Sequence, residues 1–147
     1  MPRTDTEPER PVPLPDDASE PYWQACQAGS LQMQCCGECG HLRFPPRPMC
    51  PRCQSFESRW LEMSGRGRLY SWVVCHPPLL PAFQSRAPLV IALVELDESP
   101  ELRIVGNLFD CPASEIAIGM PLEVFFEPVN SELSLPQWRP AMPPSGA

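Results

Sequence analysis

Two pairs of closely spaced cysteines constrain the fold of this chain more than any other feature. Cys36 and Cys39 form one C-x2-C pair, and Cys50 and Cys53 form a second pair ten residues later. Zinc prefers four tetrahedral ligands, and thiolates at positions i and i+3 of a tight turn can occupy two corners of the tetrahedron. The spacing therefore predicts a zinc ribbon over residues 35–62 that holds one structural zinc ion.

The neighbouring Cys35 leaves a second register open, in which Cys35 rather than Cys36 joins Cys39. We favour Cys36, because its spacing matches that of the second pair. The alternatives to zinc are a metal-free cluster, reduced or disulfide-paired, and a rubredoxin-like iron site on the same four sulfurs. The chain has eight cysteines, and its first residues lack the apolar segment of a secretory signal, which argues for a reducing compartment. We therefore expect a cytoplasmic protein.

Proline makes up 22 of the 147 residues, about three times its usual share. Each proline inside a helix costs about 3 kcal/mol, so a helical bundle is excluded. Segments rich in β-branched and aromatic residues dominate the second half of the chain instead, which predicts a mainly β protein. The predicted strands cover residues 68–76, 88–97, 102–109, 121–129 and 133–140, with a short helix or turn at 113–120.

This order of segments predicts a five-stranded OB-fold barrel over residues 63–141, with a five-stranded sandwich fragment as the alternative. The last strand contains Pro136 and is expected at a sheet edge.

The two ends of the chain have a different composition from the middle. Residues 1–20 are acidic and rich in proline, which predicts a disordered leader. Residues 21–34 predict a short N-terminal helix with Gly29 as its stop, followed by an extended segment, and residues 142–147 predict a flexible tail. No apolar run approaches the roughly 20 residues that span a bilayer, so we expect no membrane partner.

Charge is distributed unevenly along the chain. The net charge of −7 argues against a general nucleic-acid binder. Residues 41–70, however, carry six arginines and only two glutamates, which favours one local anion site. Arginine binds phosphates and carboxylates through a planar fork of donors, although ordinary solvated arginines remain the alternative. The candidates for an anion-binding or partner-docking surface are Arg43, Arg47 and Arg52 on a proline-rich segment, and Arg66 and Arg68 at the ribbon-to-barrel junction.

Residue pairs that could act in catalysis are scarce. Only Cys75 has a histidine next to it, His76. Adjacent residues of a strand point to opposite faces, so this pair makes a poor nucleophile and base. The sequence therefore predicts no catalytic residue in this chain.

The order of these features resembles a family of acyl-CoA-associated proteins in which a rubredoxin-like zinc ribbon precedes an OB-fold. The resemblance covers residues 21–141 and is carried by the helix PYWQACQAGSLQMQ, the knuckle CGECG leading into LRFPPRPMCPRC, the junction SGRGRLYSWVVCH, the strand PLVIALVELDE, the segment IGMPLEVFFEPV and the closing LPQWRPA. The doubled Cys35-Cys36 and the proline-rich leader depart from the family pattern.

The resemblance implies a function that spacing alone does not. Family members are small subunits, or fused domains, that pair with a thiolase-like or lipid-transfer-protein-like catalytic subunit acting on acyl-CoA. The chain is then a non-catalytic accessory subunit of a thiolase, aldolase or acyltransferase, assisting assembly and CoA-thioester access, with acyl-CoA as a ligand of the complex. The alternative is a single-stranded nucleic-acid-binding module, since zinc ribbons and OB-folds both occur in such modules. The acidic barrel region opposes that alternative.

Overall fold

One short helix precedes two small β structures in the computed structural model, which describes residues 9–142. The predicted mainly β class is confirmed. None of the helices in this range is long and apolar enough to cross a membrane. The elements are α1 (Glu20–Gln27), β1 (Gln32–Cys36), β2 (Leu42–Arg43), β3 (Ser58–Glu62), β4 (Arg66–Cys75), β5 (Leu89–Leu96), β6 (Arg103–Asn107), β7 (Pro121–Pro128) and β8 (Ser134–Pro140), with short 3-10 turns at Pro81–Arg86 and Ala113–Glu115.

Helix α1 begins and ends at residues suited to those positions. The Asp16 carboxylate accepts a hydrogen bond of 2.8 Å from the backbone N–H of Ser19, just before the helix. Gly29 has a φ of +79°, a backbone conformation that glycine adopts at little cost and that ends the helix. The helix buries Tyr22 and Cys26 in the main core.

The ribbon is a three-stranded antiparallel sheet in the order β2-β1-β3. Strand β1 lies in the centre, with Gln34 opposite Arg43 of β2 on one side and opposite Trp60 of β3 on the other. This arrangement brings the two cysteine turns to the same end of the ribbon.

The barrel is a five-stranded antiparallel sheet in the order β6-β5-β4-β7-β8. Its two ends meet where Leu108 forms a parallel bridge with Trp138. The backbone N–H of Phe109 donates to the Trp138 carbonyl at 2.8 Å, and that of Asn107 donates to Gln137 Oε1 at 2.6 Å. Strand β8 lies at the end of the sheet order, and these contacts just beyond Pro136 close the barrel.

Residues 9–19, part of the predicted disordered leader, contact the barrel through Arg10. Arg10 Nη1 lies 3.1 Å from Glu127 Oε1. Glu127 also accepts hydrogen bonds of 2.7 Å from Arg86 and 2.8 Å from Gln137. One partly buried carboxylate therefore ties the leader to the barrel wall. The remaining predicted leader, residues 1–8, and residues 143–147 of the tail lie outside the described residues.

Candidate metal centre and arginine surface

The four cysteines predicted as zinc ligands form one compact cluster. Their sulfur atoms all lie within 4.8 Å of one another. The Sγ atoms of Cys36 and Cys53 are 3.5 Å apart, and those of Cys39 and Cys50 are 3.7 Å apart. Each turn of the chain thus supplies two sulfurs to a shared centre.

The two cysteine turns have matching backbones. The residue after each pair, Gly40 or Gln54, has a positive φ, of 72° and 64° respectively. Its N–H donates to the carbonyl of the first cysteine of the pair, at 3.1 Å to Cys36 and at 2.9 Å to Cys50. Each turn is therefore held closed by its own backbone.

The same turns favour the ionised form of the first cysteine in each pair. The backbone N–H of Cys39 lies 3.5 Å from Cys36 Sγ, and this hydrogen bond lowers the pKa of Cys36 to about 6. The backbone N–H of Cys53 lowers the pKa of Cys50 in the same way. Thiolates are the form that binds zinc, so four sulfurs in this arrangement fit a closed, structural zinc site that leaves no position for a substrate.

Cys35 lies outside the cluster. Its sulfur is 3.5 Å from the Gly40 carbonyl, to which the thiol donates. Cys35 and Cys36 are consecutive residues of β1 and point to opposite faces of the strand. The geometry therefore supports the register with Cys36.

Arg43, predicted on a displayed segment, is instead only 5% exposed. Its Nε donates to Gln34 Oε1 at 2.8 Å, and its Nη2 donates to the Arg47 carbonyl at 3.1 Å. The same Gln34 oxygen accepts from the backbone N–H of Arg47 at 2.8 Å. Arg43 thus holds the proline-rich segment in place, through its hydrogen bonds to Gln34 and Arg47.

Gln34 is the residue that sequence reasoning missed. Gln34 is 5% exposed, and its Oε1 atom accepts hydrogen bonds from two donors. The available signal was a glutamine between Met33 and Cys35, but that signal does not identify the partners.

The other two arginines of the segment differ from each other. Arg47 is exposed, and only its backbone is held by Gln34 and Arg43. Arg52 Nη2 contacts both carboxylate oxygens of Glu101, at 2.9 and 3.0 Å. Glu101, in the turn between β5 and β6, therefore neutralises the charge of Arg52, whereas the Arg47 side chain remains exposed.

Arg66 and Arg68 lie at exposed positions on β4, two residues apart and hence on the same outer face. The strand register sets Arg66 opposite Glu123 and Arg68 opposite Glu95. The structure thus brings these two arginines together, but it interleaves them with carboxylates of neighbouring strands.

Cys75 and His76 gain no catalytic partner from the fold. Within residues 9–142, neither side chain makes a hydrogen bond or an ion pair with another residue. The prediction that this chain supplies no nucleophile and base stays a prediction.

Comparisons with known proteins identify both parts of the chain. Residues 23–59 match the model of the ChsH2 rubredoxin-like zinc ribbon domain. Residues 60–127 match that of the ChsH2 C-terminal OB-fold domain. The boundary between the two matches falls in β3, close to the predicted end of the ribbon.

A solved structure and two curated proteins extend the comparison. A chain of the Ltp2-ChsH2(DUF35) aldolase has 39% sequence identity and a TM-score of 0.82, and the match covers 89% of this chain and 100% of that one. The "Probable enoyl-CoA hydratase alpha subunit" of Thermomonospora curvata is 40% identical over 91% of this chain and 41% of its own length. The benzoylsuccinyl-CoA thiolase subunit BbsA of Thauera aromatica is 29% identical over 68% of this chain and 60% of its own length.

The chain thus spans less than two thirds of either curated relative, while it matches the full length of the ChsH2 chain in the solved aldolase. The four-cysteine cluster lies inside the matched ribbon, and the closing barrel inside the matched OB-fold. The chain belongs to the ChsH2 (DUF35) family of proteins with a rubredoxin-like zinc ribbon and a C-terminal OB-fold.

Proposed function

We propose that this chain is a non-catalytic accessory subunit of a thiolase-like acyl-CoA enzyme, assisting assembly and the access of the CoA thioester. The observation that carries the proposal is the similarity, over the whole length of the ChsH2 chain, to a component of the Ltp2-ChsH2(DUF35) aldolase. The two curated relatives are named as subunits of a CoA hydratase and a CoA thiolase.

The chemistry of the described residues supports a non-catalytic role. The four sulfurs of the cysteine cluster lie within 4.8 Å of one another, so with zinc bound none of these four thiolates is free to attack a thioester. Cys36, Cys39, Cys50 and Cys53 are the proposed ligands of one zinc ion. In that role the ion stabilises the ribbon and takes no part in turnover.

The exposed arginines support a role toward CoA or the partner. CoA carries phosphate groups, for which arginine supplies paired hydrogen bonds. Arg47 projects from a segment whose backbone is fixed by Gln34 and Arg43, and Arg66 and Arg68 share one face of β4. We propose these three as the CoA-binding or partner-docking arginines, with Arg52 set aside because Glu101 already pairs with it.

The test is direct assembly with a purified catalytic subunit. The full chain, loaded with zinc, is mixed with Ltp2 from the Ltp2-ChsH2(DUF35) aldolase, and the mass of the complex is measured by light scattering after size exclusion. We expect a stable complex, together with no aldolase or thiolase turnover by the chain alone. Turnover of an acyl-CoA by the chain alone, or no complex at micromolar concentrations, contradicts the proposal.

A further inference from the structure

Strand β5 is apolar on its inner face and, except at Glu95, on its outer face. Ala92, Val94 and Leu96 point into the barrel and are at most 2% exposed. Ile91 and Leu93 alternate with them on the outer face and are half-buried. An antiparallel strand with one solvated face normally alternates apolar and polar residues. The outer face of β5 therefore has the composition of a surface that another molecule covers.

The neighbouring strands extend this apolar surface. The register sets Val73 of β4 opposite Ile91, and Val105 of β6 opposite Leu93. Val73 is 55% exposed and Val105 is 61% exposed, and Tyr70, at the irregularity in β4, is 47% exposed. We call these five side chains, Tyr70, Val73, Ile91, Leu93 and Val105, the outer band.

At β6 the outer band continues into a groove of about 380 Å³. Ile91 and Val105 line one part of the groove, and Trp23 and Phe44 line another. A bulky apolar side chain that enters such a groove becomes a central anchor, the kind of contact that dominates the affinity of protein interfaces. The band thus offers both a flat apolar surface and a recess.

A row of charged residues borders the band on one side. Arg68, Glu95 and Arg103 lie opposite one another on β4, β5 and β6. Arg103 Nε donates to Glu95 at 3.4 Å, and its guanidinium lies 3.9 Å from the centroid of the Tyr70 ring. Arg68 donates to the Gly119 carbonyl and, among residues 9–142, has no carboxylate within 4.0 Å. The row therefore carries one surplus positive charge.

We propose that the outer band is the surface by which this chain docks to its thiolase-like catalytic subunit. The matching surface of that subunit is apolar, with a carboxylate opposite Arg68. This inference rests on the proposed function. A second copy of the chain fits less well, because face-to-face packing presents the same surplus cation from both sides and each copy carries a net charge of −7.

The experiment measures the affinity of the full, zinc-loaded chain for purified Ltp2 by calorimetry. Val105→Lys puts a charge in the band where it meets the groove, and we expect the Kd to rise about tenfold or more. Phe56→Lys is the matched control, because Phe56 is 71% exposed but lies on the ribbon away from the band. Arg68→Glu is expected to raise the Kd about fivefold, and its control, Arg59→Glu on β3, is expected to change it less than about twofold. Zinc content and melting temperature are measured for every variant to establish that it is folded.

The outcomes separate the inference from the proposed function. If wild type binds Ltp2 and neither Val105→Lys nor Arg68→Glu weakens binding, the docking surface is overturned and the accessory role stands. Equal weakening by Val105→Lys and Phe56→Lys overturns it as well. Self-association of the wild type that only Val105→Lys abolishes, with binding to Ltp2 unchanged, assigns the band to a second copy. Failure of the wild type to bind Ltp2 overturns the proposed function and the inference with it.

Discussion

Gly67 lies on β4 opposite Leu96 of β5, with no room for a side chain. A Cβ atom at this position would contact the backbone carbonyl of Glu95 and lie 2.8 Å from a methyl group of Val94. The carbonyl belongs to the paired strand and cannot move without disturbing the pairing. Gly67→Ala should therefore lower the free energy of unfolding by about 1–3 kcal/mol, measured by chemical denaturation.

Ser71→Ala on the same strand is the control for Gly67→Ala. Ser71 is exposed, so a change within about 0.5 kcal/mol is expected. Equal stability of the Gly67→Ala variant and wild type is the result that contradicts the prediction.

The ionisation of the Glu127 carboxyl makes the free energy of unfolding depend on pH. Partial burial alone would raise the pKa of this carboxyl, but hydrogen bonds from Gln137 and Arg86, with the charge of Arg10, bring its pKa below the usual value. A carboxyl with a lowered pKa in the folded state adds stability above its unfolded pKa, near 4.3, and loses it as the pH falls through the folded value. Glu127→Gln should therefore lower the melting temperature by a few degrees at pH 7.

The difference between Glu127→Gln and wild type should shrink as the pH drops below about 4. Thermal denaturation from pH 7 to pH 3 measures this trend. The exposed Glu132 provides the control Glu132→Gln, which should track wild type throughout. A melting difference for Glu127→Gln that is the same at pH 7 and pH 3 speaks against this account.

The cysteine cluster and Arg43 show which side-chain positions could be predicted from the sequence and which could not. The spacing of the four cysteines predicted a cluster that the fold brings together. The predicted display of Arg43 was wrong, because nothing in the local sequence tells that Gln34, nine residues earlier, lies across the sheet from it. Ligand spacing is local information, whereas burial depends on contacts between distant segments.

At the scale of elements, the ribbon should depend on its metal. Cys50→Ser removes one of four sulfurs from the cluster, and the chain should then retain less than half of its zinc and lose the ribbon fold. Elemental analysis measures the metal, and backbone amide exchange across β1 and β3 measures the fold.

Cys35→Ser is the matched control for Cys50→Ser, because Cys35 lies on the same ribbon but outside the cluster. We expect one zinc per chain in this variant. Loss of zinc from Cys35→Ser is the opposite of the expected result and favours the register in which Cys35 rather than Cys36 is a ligand.

The strands of the barrel were predictable, and those of the ribbon were less so. All five barrel strands fall within two residues of the predicted bounds, because runs of β-branched and aromatic residues set them. Strand β2 has only two residues and exists through its pairing with β1, which no periodicity reveals. The predicted helix or turn at 113–120 is a 3-10 turn at Ala113–Glu115 followed by a turn at Ile118 and Gly119, because Ile116 between them lies in the core.

At the scale of the whole molecule, Arg47 bears on the use of acyl-CoA by the assembled enzyme. Its side chain is exposed on a segment whose backbone is held in place. Arg47→Ala in the complex should therefore raise the KM for acyl-CoA about three- to fivefold. This factor corresponds to the loss of one partly exposed ionic contact. Steady-state kinetics with and without the variant subunit measure the effect.

Arg59→Ala serves as the control for Arg47→Ala, because Arg59 is also exposed and lies on the ribbon. It should leave KM and assembly unchanged. If both variants behave as wild type, Arg47 is solvated surface and has no role toward CoA.

The contacts that join the ribbon to the barrel could not be predicted from the sequence. Glu101 pairs with Arg52 across the two parts, and the backbone N–H of Ser64 donates to Glu98. Helix α1 contacts both β1 and β8. From its composition, the acidic turn between β5 and β6 would be taken for a solvated turn. Its partners, Arg52 and Ser64, come from positions 49 and 34 residues earlier in the chain.

The closure of the barrel has a consequence for how sequences of this family can diverge. A Cβ atom at Gly106 would lie 2.9 Å from the ring of Trp138 and 3.0 Å from the Pro136 carbonyl. The buried Trp138 indole therefore occupies the space that a side chain at position 106 would need. Positions 106 and 138 should covary: a chain that keeps tryptophan at 138 is restricted to glycine at 106, and a chain with a smaller residue at 138 is free to carry a side chain there.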